Sequence, residues 1–101
     1  MLHDFNDDLE DSLARVEDEP SFIAFLEELV RNRECEDDLE KISPSSVYGP
    51  GALGWQNGTV YDFLEAAAAC ARAHIPNGGI APNENPWKVC ATIIYAGKNY
   101  E

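Results

Sequence analysis

Cys70 and His74 stand four residues apart, a spacing that stacks two side chains on one face of a helix. A thiol beside an imidazole is the raw material of a Cys-His nucleophile. Cys70, however, closes the run Ala66-Ala67-Ala68-Ala69. A thiol among alanines on an apolar face stays protonated and inert. Core packing for Cys70 and a helix-end position for His74 are the favoured readings. A zinc ion on the same pair would need two more ligands. His3, Cys35 and Cys90 are the remaining candidates, and the tight spacings of structural zinc sites are missing. Three cysteines without a Cys-x-x-Cys fit reduced thiols better than a disulfide framework.

The carboxylates are the other chemically capable group. There are 19 of them against 7 Lys and Arg, a net charge of -12. Nothing singles out two as a glycosidase-type acid and base, which would need a cleft and one raised pKa. Neither Asn6-Asp7-Asp8 nor Glu34 to Glu40 has the alternating oxygen ligands and central glycine of an EF-hand. Gly49, Gly51 and Gly54 make no phosphate loop, because no Gly-Lys-Ser/Thr follows and no strand precedes. No catalytic, cofactor-binding or metal-binding set is therefore expected, and binding is favoured over catalysis.

The charge is unevenly placed. Residues 1–42 hold 15 acids and 4 bases, whereas residues 43–101 hold 4 acids and 3 bases. Such a field excludes a nonspecific nucleic-acid binder and a protein that docks on anionic lipid. No run approaches the roughly 18 apolar residues of a membrane span. Met1-Leu2-His3-Asp4 lacks the basic and apolar regions of an export signal, so a soluble, cytoplasmic chain is expected. An acidic run is commonly a solvated face. The sharper reading is a surface kept for a basic protein partner. Its candidate contacts are Glu34, Glu36, Asp37, Asp38 and Glu40, supported by Asp7, Asp8 and Asp11, with Tyr48 as an aromatic anchor.

The elements that must position these residues are helices. Phe5, Leu9, Leu13 and Val16 repeat at helical spacing, with Asp4 or Asn6 as N-cap. Pro20 opens a second helix reaching about Arg33, with an inward stripe of Phe22, Phe25, Leu26, Leu29 and Val30. Glu27 and Arg31 form an i,i+4 pair along it. Glu34 to Glu40 either extends that helix or makes a short one, with Leu39 and Ile42 turned inward. Ser43 to Gly58 reads as a long Gly/Pro/Ser loop. Thr59-Val60-Tyr61-Asp62 starts a third helix that ends near His74, with Phe63, Leu64, Ala67, Cys70 and Ala71 on its apolar face. Asn85-Pro86 starts the last, with Trp87, Cys90, Ala91 and Ile94 on one face and Gly97 as its stop. Thr92-Ile93-Ile94-Tyr95 alone could pass for a strand. Trp55 and Trp87 are expected to close the core over helix ends, and Asn57 to satisfy backbone groups of its turn. The expected fold is all-α: one domain over residues 1–101, of about four helices.

Trp55-Gln56-Asn57-Gly58-Thr59, Phe63-Leu64-Glu65-Ala66, Asn85-Pro86-Trp87, Ala96-Gly97-Lys98 and the closing Tyr100-Glu101 form an ordered signature. It resembles a family of small bacterial proteins classed as a domain of unknown function. The likeness covers about residues 20–101 and leaves the acidic first 19 outside. It implies a bacterial cytosolic protein with a helical fold, and it transfers no catalytic residue. Together with the charge, the leading expectation is a stoichiometric inhibitor, an immunity protein that blocks a cationic toxin. A phage-type nucleic-acid mimic is a close variant, and a regulatory module whose acidity serves solubility is the alternative.

Overall fold

A computed structural model describes residues 5–46, 49–75, 79 and 81–99. Four helices make up the described architecture: α1 (Phe5–Ala14), α2 (Glu19–Ile42), α3 (Val60–His74) and α4 (Pro86–Asn99). No strand occurs among the described residues, so the all-α expectation holds. Thr92 to Tyr95 is helical.

The caps explain where the helices begin. Asp18 caps α2 by accepting the Ser21 N–H at 3.1 Å, and the Ser21 hydroxyl oxygen accepts the Asp18 N–H at 3.0 Å. Two orphan donors are thereby satisfied reciprocally. Thr59 caps α3 through the Asp62 N–H at 3.0 Å, as its spacing predicts. Asn85 accepts the N–H groups of Trp87 and Lys88 at the head of α4. Asp4 lies outside the described residues. Asn6 is no cap: it sits inside α1 with its side chain turned toward α2 and α4.

α2 does not stop at Arg33. It runs on through the acidic segment to Ile42, because no glycine or proline interrupts residues 21–42. α1 packs on α2 and on α4, and α2 packs on α4. Leu9, Val16, Phe25, Leu29, Trp55 and Ala91 form the buried core, flanked by Leu13, Phe22, Leu26, Leu53, Phe63, Ile94 and Tyr95. α3 stands apart: among the helices it packs only against α4. The chain therefore spreads to 46 × 28 × 19 Å with a radius of gyration of 14.5 Å. About 13 Å is usual for a rounded domain of this length.

Several expected positions are corrected. Val30, Leu64 and Ile42 point outward rather than into the core. They lie at the margins of their helical stripes, where a neighbouring helix would be needed to cover them. Trp55 is buried, while Trp87 is partly exposed and rests its ring 5.5 Å from that of Phe22. Gly97 does not stop α4, which continues to Asn99. It is buried instead, because a Cβ there would stand 2.7 Å from the Phe63 ring. Its missing side chain is what lets α3 lie close on α4.

Candidate partner-binding surface

The helical continuation of α2 sorts the acidic segment by direction. Successive residues turn about 100°, so positions four apart share a face. Glu36 and Glu40 form one such pair, Glu34 and Asp38 another. The two pairs have separate surroundings.

Glu36 is 4% exposed. Its Oε1 accepts the backbone N–H groups of Leu53 at 3.2 Å and Trp55 at 3.1 Å. Arg33 lies 3.7 Å from its other oxygen. Gly51 passes so near that any side chain there would overlap the carboxylate. Glu40 accepts the Ser45 N–H at 2.7 Å, the Ser45 hydroxyl at 2.5 Å and the Ala52 N–H at 2.7 Å. The Ser45 hydroxyl and N–H bonds hold its carboxyl below the usual range. Both residues, expected at the contact surface, instead tie the loop after α2 back onto the helix. Asp37 is exposed but engaged with Arg33 Nε at 3.1 Å. Tyr48 lies outside the described residues.

Glu34 and Asp38 face the other way, toward α1. With Phe5, Asp8, Glu28, Arg31, Asn32 and Cys35 they line a recess of about 300 Å³ between the two helices. A second recess adjoins it, lined by Asp8, Asp11, Ser12, Arg15, Ala24, Glu28 and Arg31. Asp8, Glu28 and Arg31 border both. Of the expected contact residues, the structure thus gathers Asp8, Asp11, Glu34 and Asp38 on one α1–α2 face. Asp7 is exposed on α1 but lines neither recess.

Glu28 and Arg15 were not singled out from sequence, and Arg31 was expected only as a helix-face partner of Glu27. Arg31 pairs with Glu28 at 2.6 Å, not with Glu27 as the i,i+4 rule suggests. The hydrogen bond to Glu28, then its charge, holds the guanidinium more firmly protonated than usual. Glu28 and Arg15 fall between the acidic runs, so no local charge pattern marked them.

Behind this face a buried polar network fixes how α1 lies on α2. Asn32 donates from Nδ2 to Phe5 O at 3.2 Å and to Asn6 Oδ1 at 3.1 Å. It accepts the Trp55 indole N–H at 2.8 Å. Lys98, 2% exposed, donates to Asn6 Oδ1 at 2.8 Å. Burial pushes the Lys98 ammonium's pKa down, and the charges of Glu36 and Glu10 partly oppose that. The Lys98 carbonyl accepts the N–H groups of Gln56 and Asn57, and Asn57 Nδ2 donates to Gly97 O at 3.0 Å. Asn57 thus ties its turn to the end of α4. Every buried side-chain polar atom among the described residues has a partner, as a network of this kind requires.

The Cys70–His74 pair borders a mostly apolar recess with Ile75, Glu84, Lys88, Val89, Thr92 and Ile93. Cys70 is buried and His74 exposed. No group of three or more His, Cys, Asp or Glu is placed to hold a metal ion among the described residues. No described helix is long and apolar enough to cross a membrane. Set beside known protein families, characterised proteins and solved structures, the chain matches none.

Proposed function

We propose that this chain is a stoichiometric protein inhibitor, of the immunity-protein kind, that meets a basic partner with the α1–α2 face. The observation that supports this most is the gathering of Asp8 and Asp11 from α1 with Glu28, Glu34 and Asp38 from α2 around two adjoining recesses. Acids scattered for solubility alone have no need of a shared concave face.

The mechanism is electrostatic. A net charge of -12, concentrated in α1 and α2, draws a cationic surface in and speeds encounter. Contact then orients it. Arg15 and Arg31 sit among the acids and give the face a mixed pattern, so a partner must offer carboxylates as well as Lys or Arg at matching places. A uniform row of phosphate-like charges would lack those cations, which weighs the inhibitor of one fitted cleft over a nucleic-acid mimic. The network of Asn6, Asn32, Trp55 and Lys98 holds the two helices in fixed register, which limits the ordering cost of binding.

The test is capture of partners on the tagged protein from native-host lysate, followed by elution with salt. One basic protein at equal stoichiometry, retained at low salt and released at high salt, supports the reading. Equal recovery on a variant neutralised at Asp8, Asp11, Glu34 and Asp38 would count against it.

A further inference from the structure

The exposed large apolar side chains of the described residues are Ile23, Val30, Ile42, Val60, Tyr61, Leu64 and Trp87. By helical spacing, all but Ile42 fall on or beside the open trough between α2 and α3. Its first wall is α2. Arg33 lines a recess of about 270 Å³ together with Trp55, Thr59, Val60, Phe63 and Leu64. The flank of α2 that carries Arg33 therefore faces α3. Ile23, Leu26 and Val30 continue that flank at the 3–4–3 spacing that keeps residues in line along a helix. The second wall is α3, where Val60, Leu64, Ala67 and Ala71 repeat at 4–3–4 spacing.

α4 supplies the floor. Its residues Trp87, Cys90, Ile94 and Gly97 form one stripe. The stripe touches α2 at one end, through Trp87 on Phe22, and α3 at the other, through Gly97 beneath Phe63. Cys90 lies between them and is exposed. α2 and α3 do not pack on each other, so the walls stay apart. The trough runs about 16 Å, or three helical turns. Val30 is 57% and Leu64 60% exposed, a large apolar display for so small a chain.

We propose that this trough docks an amphipathic α-helix of a partner protein, one whose apolar stripe is flanked by Lys and Arg. Two antiparallel helices that do not touch, laid over a third, leave α4's face open between them, and an apolar groove of this kind is where an amphipathic helix docks. Charge chooses the occupant. Glu27 stands one turn beyond Ile23, and Glu65 one turn beyond Tyr61, both exposed. A second copy would bring the same acids and another -12 against them. A helix with basic flanks meets them with opposite charge. The proposal uses a different face from the α1–α2 recesses and stands apart from the inhibitor reading.

The probe is a fluorescent peptide of leucine and lysine, about four helical turns long, with leucines at helical spacing. Its control has the same composition in strict alternation. Fluorescence anisotropy at about 0.15 M salt measures both against wild type, V30D/L64D and D8N/D11N. The helical peptide is expected to bind wild type roughly ten-fold more tightly than the control. V30D/L64D removes that preference although it makes the protein more negative, while D8N/D11N keeps it. Both replaced side chains are exposed, and circular dichroism checks the fold; L64Q is the milder variant. Binding that V30D/L64D leaves equal or tightens would mean bulk charge attraction and overturn the proposal. So would a wild-type dimer in sedimentation that V30D/L64D breaks, because a second copy would then own the trough.

Discussion

The indole N–H of Trp55 donates to Oδ1 of Asn32 across 2.8 Å, joining the loop before α3 to the middle of α2. Asn32 is 2% exposed, so no water stands ready to replace either group. Its amide also holds α1 through Phe5 O and Asn6. Asn32→Leu removes the acceptor and leaves the indole N–H buried and unmatched. We expect a loss of about 2 kcal/mol, read as a lower urea midpoint with altered tryptophan fluorescence.

Glu36 and Asp38 are two residues apart and have opposite jobs. Glu36→Ala strips the acceptor from the N–H groups of Leu53 and Trp55. It should cost about 2–4 kcal/mol and free the loop to faster amide exchange. Asp38→Asn, on an exposed side chain 3.9 Å from Lys41, should leave the urea midpoint almost unchanged. Matching losses for the two variants would show that Glu36 is not the loop's anchor.

Gly97→Ala gains about 1 kcal/mol of helix propensity. It also places a methyl against three atoms of the Phe63 ring, all within 2.9 Å. Phe63 stacks on Trp55 with centroids 6.3 Å apart, so the ring cannot retreat freely. A net loss of about 1–2 kcal/mol is expected. Because α4 is the one helix that α3 packs against, hydrogen exchange should rise first in α3.

Glu40 gives a signed pH effect. Its bonds from Ser45 hold its folded pKa below the ordinary 4.5. The unfolded carboxyl then binds protons at a higher pH than the folded one. Its contribution is complete above the unfolded value and is lost as pH falls through the folded one. The stability gap between wild type and Glu40→Gln should therefore be level from neutral pH down to about 5 and shrink below about 4.5. Denaturant melts at several pH values measure it, and a gap that widens in acid would contradict the assignment.

The sequence made the helices legible because their signals are local. Thr59, Asn85 and Pro86 mark starts, and His74 marks an end, within a few residues of chain. Gly97 misled, since a helix-stop glycine and a close-packing glycine look alike until Phe63 is placed beside it. Asn6 read as a cap for the same reason: its partners, Asn32 and Lys98, are 26 and 92 residues away. The acidic segment was legible as charge but not as direction. Whether Glu36 points to the loop and Asp38 to α1 depends on α2 continuing unbroken to Ile42. Glu28 and Arg31 joined the face only through the packing of α1 on α2.

The central claim is that the α1–α2 face meets a basic partner. The direct measurement compares the partner captured from native-host lysate on wild type and on D8N/D11N/E34Q/D38N, each eluted with rising salt. We predict one basic protein, bound one to one on wild type, released as salt screens the charges, and lost or strongly reduced on the variant. A partner held equally by both proteins, or one whose release ignores salt, would contradict the account.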